Sequence, residues 1–184
     1  MQAPTKEDAE KRLQSANVLI VEDSLYMRKV VRMLLTNVGV KNVYEAADGI
    51  SALDQIRLVQ PDLIVLDWDL PLLNGPELVR IVRSPGVFPV PDIPIIMLTG
   101  FGERWRVVAA ASMGVNEFLI KPVSAKTLKS RMISVLLNPR PSVQIGNYYG
   151  PAPRKLIDDP MGATLCDSVL GKLEKNHEPA HAPA

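Results

Sequence analysis

Between Asn17 and about Leu137 the sequence alternates five times between short aliphatic runs and stretches whose apolar residues recur at helical spacing. Val18-Leu19-Ile20-Val21, Val43-Tyr44-Glu45-Ala46, Leu63-Ile64-Val65-Leu66, Ile95-Ile96-Met97-Leu98 and Phe118-Leu119-Ile120 have the length and the aliphatic bulk of buried strands. Strands that alternate with helices build a parallel sheet covered on both faces. Right-handed crossovers then bring the carboxyl end of every strand to one edge. Four of the runs end in chemistry-bearing residues: Glu22-Asp23, Asp67, Thr99 and Lys121. The alternation therefore predicts that these side chains meet, at the edge where open α/β sheets hold their ligands.

The intervening segments carry helix signals. Ser24 is an N-cap ahead of Met27, Val30, Val31, Leu34, Leu35 and Val38, which share a helical face. Further helices are expected from about Asp48 to Val59, stopped by Gln60-Pro61, and over about Pro76–Arg83, Glu103–Met113 and Ser124–Leu137. Ser84-Pro85-Gly86 and prolines 89, 91 and 94 mark a long loop before the fourth strand. Three pieces result: a charged arm or frayed helix over residues 1–15, a doubly wound five-stranded α/β domain over 16–137, and a tail over 138–184. The tail holds seven of the 16 prolines and both histidines. It reads as extended, with one short helix expected after Asp159-Pro160 that would place Leu165, Val169 and Leu173 on one face. His177 and His181 are spaced for metal chelation on a helix, but Pro179 between them argues against that helix.

Bulk composition narrows the function classes. The 21 basic and 20 acidic residues leave a net charge of +1, which gives no electrostatic reason to expect nucleic acid or an anionic membrane. No apolar stretch approaches the ~20 residues of a membrane span, and Met1 to Arg12 has no signal-peptide pattern. The single cysteine, Cys166, cannot form an internal disulfide and reads as a small thiol, so a cytoplasmic location is expected.

Glu22, Asp23 and Asp67 would crowd three carboxylates into one pocket, which must either raise a pKa or hold a cation. An all-oxygen donor set suits Mg²⁺ better than zinc. Lys121 can neutralise an Asp or hold an incoming anion, and Thr99 adds a hydroxyl. Carboxylate nucleophile, divalent cation, hydroxyl and ammonium are together what phosphoryl transfer needs, with Asp67 best placed as the nucleophile.

These residues resemble the receiver domains of bacterial two-component response regulators, of the chemotaxis single-domain kind. The resemblance is carried by Glu22-Asp23, by Asp67 with Leu70-Pro71 and Gly75, by Thr99 and by Lys121-Pro122, at intervals of 44, 32 and 22 residues from Asp23 onward. Glu45-Ala46-Ala47-Asp48-Gly49 and Met113-Gly114-Val115 also fit. The resemblance implies that Asp67 accepts a phosphoryl group from a sensor histidine kinase or a histidine phosphotransfer protein. It implies Mg²⁺ held by Asp23, Asp67 and the Asp69 backbone carbonyl, with Glu22 acting through water. Lys121 and Thr99 would contact the phosphoryl oxygens, and Phe118 would be the aromatic switch. Such a protein is not a turnover enzyme. It would signal through a downstream protein contact on the face formed by the helix over Glu103–Met113, the Phe118 strand and the last helix, where Trp105 is a candidate contact.

Three departures from the family pattern stand out. Phe118 lacks the hydroxyl of the commoner Tyr, Gly100 replaces the usual Ala, and Asp69 adds a fourth carboxylate whose side chain is expected to face solvent. Asp67-Trp68-Asp69 also matches haloacid-dehalogenase-type phosphohydrolases, in which Asp69 would be the acid/base. That reading has no role for Glu22-Asp23, and its further acidic motif could come only from Asp158-Asp159 in the tail. Tyr148-Tyr149-Gly150-Pro151, followed by Arg154-Lys155, resembles a short tail of some receiver-only proteins.

Overall fold

Five parallel strands form the centre of the computed structural model, which describes residues 5–153. They are β1 (Asn17–Val21), β2 (Asn42–Ala46), β3 (Leu63–Asp67), β4 (Ile95–Thr99) and β5 (Glu117–Ile120), in the spatial order β2-β1-β3-β4-β5. The register sets Val18 beside Leu63, Ile64 beside Ile95 and Thr99 beside Ile120, so β1, β3, β4 and β5 finish nearly level. Because side chains alternate across a strand, each aliphatic run feeds two cores. Leu19, Val21, Ile64, Leu66, Ile95 and Met97 face one side; Val18, Ile20, Leu63, Val65, Ile96 and Leu98 face the other. Burying each such side chain contributes ~1.5–3 kcal/mol, which is why nearly unbroken aliphatic sequence is needed here.

Helices α2 (Leu25–Asn37) and α6 (Ala125–Leu137) cover the second face through Val31, Leu35, Leu128, Met132 and Val135. Helices α3 (Gly49–Val59), α4 (Gly75–Val82) and α5 (Arg104–Ser112) cover the first through Ala52, Ile56, Leu78, Val79, Val82 and Ala110. Side-chain caps start most of them. Ser24, Asp48, Asn74 and Ser124 each accept a hydrogen bond from the backbone N–H three residues on. The doubly wound α/β expectation is met, with element ends within a residue or two.

The segments flanking the expected domain carry more structure than their reading. Of the two readings of residues 1–15, arm or frayed helix, the chain takes the helical one, as a capped helix α1 (Lys6–Ser15): Thr5 and Asp8 make a reciprocal capping box, and Ala9 and Leu13 are buried. Leu13 joins the core of α2 and α6, and Arg12 pairs with Asp62 at 2.9 Å just ahead of β3. After α6 the chain does not simply extend. β6 (Ser142–Ile145) and β7 (Tyr148–Pro151) pair as an antiparallel hairpin around Gly146, whose φ of +55° suits the first central position of a tight hairpin turn. The hairpin docks where β4 and β5 begin: Tyr149 donates to Asp92 at 2.7 Å, and Arg140 donates to the Ala152 and Asn116 carbonyls. The expected helix after Asp159-Pro160, Arg154-Lys155, Asp158, Cys166, His177 and His181 lie outside the described residues. Among the described residues no helix is long and apolar enough to cross a membrane.

Candidate functional site

The predicted convergence occurs at the carboxyl edge. Glu22 follows β1 directly, Asp67 ends β3, Thr99 ends β4 and Lys121 follows β5. Glu22, Asp67 and Thr99 are buried, while Asp23 is exposed at the rim. Carboxylate oxygens of Glu22, Asp23 and Asp67 all lie within 4.8 Å of one another, close enough to share one cation. These are hard oxygen donors with one side open to solvent, a set that fits Mg²⁺ and leaves room for its waters. Lys121 enters from the other side, with Nζ 2.7 Å from Asp67 Oδ1 and 2.6 Å from Glu22 Oε2.

Burial dominates the electrostatics. It pushes the carboxyl groups of both Glu22 and Asp67 above their ordinary values, against the lowering effect of the Lys121 hydrogen bonds. Asp67 also feels the negative charge of Asp69. Burial opposes the Lys121 charge too, but hydrogen bonds to Asp67 and Glu22 outweigh it and hold the ammonium above its usual pKa. One ammonium thus serves two acids that would otherwise be uncompensated, and a cation of higher charge at the rim would complete the balance.

Local structure fixes this geometry. Gly75 lies so close under Asp67 that a Cβ there would overlap the Asp67 carbonyl oxygen, and its N–H donates to the Trp68 carbonyl at 3.0 Å. On the acidic turn, Arg28 donates to the backbone carbonyls of Glu22 at 2.7 Å and Asp23 at 3.3 Å, and pairs with Glu45. Sequence reasoning had no role for Arg28; its only signal was its position one turn into the helix after the acid pair. A Cβ on Gly100 would meet nothing within 4 Å, so open space lies over that position whether Gly or Ala fills it.

Three aromatic residues beside the site, Trp68, Trp105 and Phe118, form one cluster. Trp68 meets Trp105 edge-on at 5.8 Å and Phe118 edge-on at 6.3 Å. Phe118 packs part-buried against the core on the face of α3–α5. Trp105 is 58% exposed while its ring rests on Trp68. The Asp69 side chain does not simply face solvent: although 57% exposed, it is held at 3.0 Å by Arg106 of α5. Arg106 is the second residue that sequence reading missed.

The model of the response regulator receiver domain matches residues 18–133 of this chain. Chemotaxis protein CheY-3 of Vibrio cholerae is 35% identical over 115 residues, which cover 62% of this chain and 87% of that protein. Chemotaxis protein CheY1 of Helicobacter pylori is 35% identical over 120 residues, covering 65% of this chain and 95% of the relative. Among solved structures, CheY4 of Vibrio cholerae superposes with a TM-score of 0.59 at 32% identity, covering 66% of this chain and 98% of its own.

Proposed function

The chain belongs to the response regulator receiver family, and from that premise we propose that it takes a phosphoryl group on Asp67 and uses it to switch a protein contact. The observation that carries this reading is the Lys121 ammonium held between Asp67 and Glu22 beside three carboxylates that can share a cation. An Asp67 oxygen attacks the phosphorus of a phosphohistidine on a sensor kinase or phosphotransfer protein. The P–N bond breaks, the imidazole leaves and takes a proton, and an acyl phosphate forms on Asp67. Glu22, Asp23 and Asp67, with the Asp69 backbone carbonyl, would hold Mg²⁺, which supplies charge neutralisation for the transferring group. Lys121 exchanges its contact with Asp67 for one with a phosphoryl oxygen.

The new group brings ~1.5 to 2 negative charges to the pocket. Thr99 lies fully buried, and its hydroxyl oxygen accepts from the Phe101 N–H at 3.2 Å. Turning that hydroxyl toward a phosphoryl oxygen pulls on the turn after β4, and the part-buried Phe118 is placed to repack in response. The contact switched is on the face of α5, β5 and α6, where Trp105 is exposed. A ligand of one state shifts the equilibrium only by its difference in affinity for the two states, and the phosphoryl group has that difference through Thr99 and Lys121.

The hydrolase alternative has nothing to recommend it here. The receiver match includes the acid pair it cannot use, and the proposed acid/base Asp69 is occupied by Arg106. Incubation with Mg²⁺ and acetyl phosphate tests the proposal. Asp67 should be labelled, Asp67→Asn should abolish labelling, and Asp23→Asn should weaken Mg²⁺ binding. A label that persists in Asp67→Asn, or steady release of phosphate from phosphomonoesters, would overturn it.

A further inference from the structure

Asp69 stands two residues after Asp67 with a side chain that has one hydrogen-bond partner among the described residues. Arg106 Nη1 lies 3.0 Å and 3.3 Å from the two Asp69 oxygens and 3.4 Å from Thr99 Oγ1. The guanidinium is walled in by rings: its central carbon is 5.0 Å from the Trp68 centroid, 4.9 Å from Phe101 and 5.2 Å from Trp105. Its side chain is only 13% exposed, although it springs from a surface helix. Nε is buried without a hydrogen-bond partner, 3.4 Å from a Glu103 oxygen that lies off its N–H direction.

Resting on the reading of Asp67 as phosphoacceptor, we propose that Arg106 is a positioning residue that pins the Asp69 carboxylate, neutralised, on the aromatic side of the pocket. A dianionic phosphodonor then meets three carboxylates rather than four. The rings make the arrangement specific to arginine. A planar, permanently charged guanidinium can stack among three aromatic rings while its edge donates to a carboxylate, whereas a lysine ammonium offers a point charge on a flexible stem. Without the arginine, Asp69 is free to turn toward Asp67, whose carboxyl already feels its charge. The pocket would then hold more negative charge. Cations should bind more tightly and anionic donors should approach less readily. These two effects have opposite signs, which a mere loosening of the fold would not produce.

The test is a double-mutant cycle on the full chain, read by calorimetric titration of Mg²⁺ and by the rate of acetyl phosphate labelling at saturating Mg²⁺. Arg106→Ala should bind Mg²⁺ roughly threefold to tenfold more tightly and be labelled slower by a similar factor, the scale of one uncompensated charge acting through a wet pocket. Arg106→Gln, which keeps the stem among the rings, should behave alike and serves as a second arm of the cycle. Adding Asp69→Asn to either variant should bring both readouts back to the level of Asp69→Asn alone. Unchanged affinity and rate in both arginine variants, or a slowing that Asp69→Asn does not relieve, would overturn the proposal while leaving Asp67 as phosphoacceptor. If the parent protein is not labelled at Asp67, the functional reading fails and this inference fails with it.

Discussion

A buried arginine and a part-buried lysine stand at opposite ends of the same sheet, and their surroundings differ in kind. Arg83, at the end of α4, lies at the amino edge and donates to the Gly114 and Pro91 carbonyls and to Asn116 Oδ1. Burial pulls its pKa down to about 10, partly offset by the nearby Tyr148, Asp92 and Tyr149. Lys121, at the carboxyl edge, sits between two carboxylates instead. Neutral carbonyls fixed by backbone hold a planar guanidinium in one pose, and Asn116 Oδ1 also accepts from the Ile95 N–H, tying β4 to β5. Two acids competing for one ammonium make an arrangement that a divalent cation or a phosphoryl group can redistribute. On the proposed function, the amino edge stays as it is and the carboxyl edge exchanges partners.

The largest effect that would break this contrast is at Arg83. Arg83→Leu takes the side-chain donor from the buried Gly114 carbonyl and the part-buried Pro91 carbonyl, while Asn116 Oδ1 keeps its bond from the Ile95 N–H. At about 1–3 kcal/mol for each acceptor left unsatisfied, a loss of roughly 2–5 kcal/mol is expected in urea unfolding. Mg²⁺ should not restore it, and the folded fraction should still be labelled at Asp67 at the parent rate. A labelling rate that falls with stability unchanged would show that the two edges are not separate.

At Lys121 the loss should be smaller and conditional. Lys121→Ala leaves Glu22 and Asp67 facing each other without their ammonium and should cost roughly 1–3 kcal/mol at neutral pH. The sign with pH follows from the raised carboxyl pKa values. A raised carboxylate is most comfortable protonated, so the variant should regain stability as pH falls through those values. Lys121 itself, held above its usual value, contributes fully at neutral pH and loses its contribution only as pH rises past its folded pKa. Millimolar Mg²⁺ should recover most of the loss, since it supplies the missing charge. A deficit that neither Mg²⁺ nor acid relieves would make Lys121 a structural cation like Arg83.

The same contrast explains what was legible in the sequence. At the carboxyl edge the residues of the candidate site end aliphatic runs, so the convergence of Glu22, Asp67, Thr99 and Lys121 follows from strand position alone, and the parallel register does the rest. Arg28 and Arg106 were not legible, because both reach the site from helices, where the distance a long side chain spans depends on helix packing. The cage around Arg106 joins its own stretch, through Phe101 and Trp105, to Trp68 after β3, a residue distant in sequence. The amino edge was read worst. Helix α1 contributes only Ala9 and Leu13 to the core, too few for periodicity, though the Thr5–Asp8 spacing was a capping signal. The hairpin was hidden by surrounding prolines, although Ile145-Gly146-Asn147-Tyr148 carries a two-residue turn signal between aliphatic and aromatic residues.

Because the hairpin belongs to the fixed edge, weakening it should lower stability without touching the switch. Tyr148 is buried and its hydroxyl donates to the Pro151 carbonyl at 2.7 Å. Tyr148→Phe should cost about 1 kcal/mol in urea unfolding. Removing residues 140–184 should cost more, while a partner should keep its preference for the phosphorylated form. Loss of all partner binding on that deletion would move the output element from the α5–β5–α6 face to the tail.

The smallest effect expected is a pH dependence confined to the hairpin's contact with the loop before β4. Hydrogen bonds from Ser142 and Tyr149 hold the Asp92 carboxyl below its ordinary value. A depressed carboxylate stabilises the fold above its unfolded pKa and loses that contribution as pH falls through the folded one. Its partner behaves in mirror image: the bond to Asp92 holds the Tyr149 hydroxyl above its ordinary value, so that contribution is present below the unfolded tyrosine pKa of ~10 and is lost as pH rises through the folded one. The contact should therefore persist from mildly acid pH to about pH 10 and loosen at both ends. Tyr149→Phe should shift the Asp92 carboxyl, followed by carboxyl-carbon NMR, upward toward the ordinary ~3.9 and remove the alkaline limb. The carboxyl shifts of Glu22 and Asp67 should not move in that variant. If they do, the two edges communicate through the sheet, and the separation of a fixed end from an exchanging end is wrong.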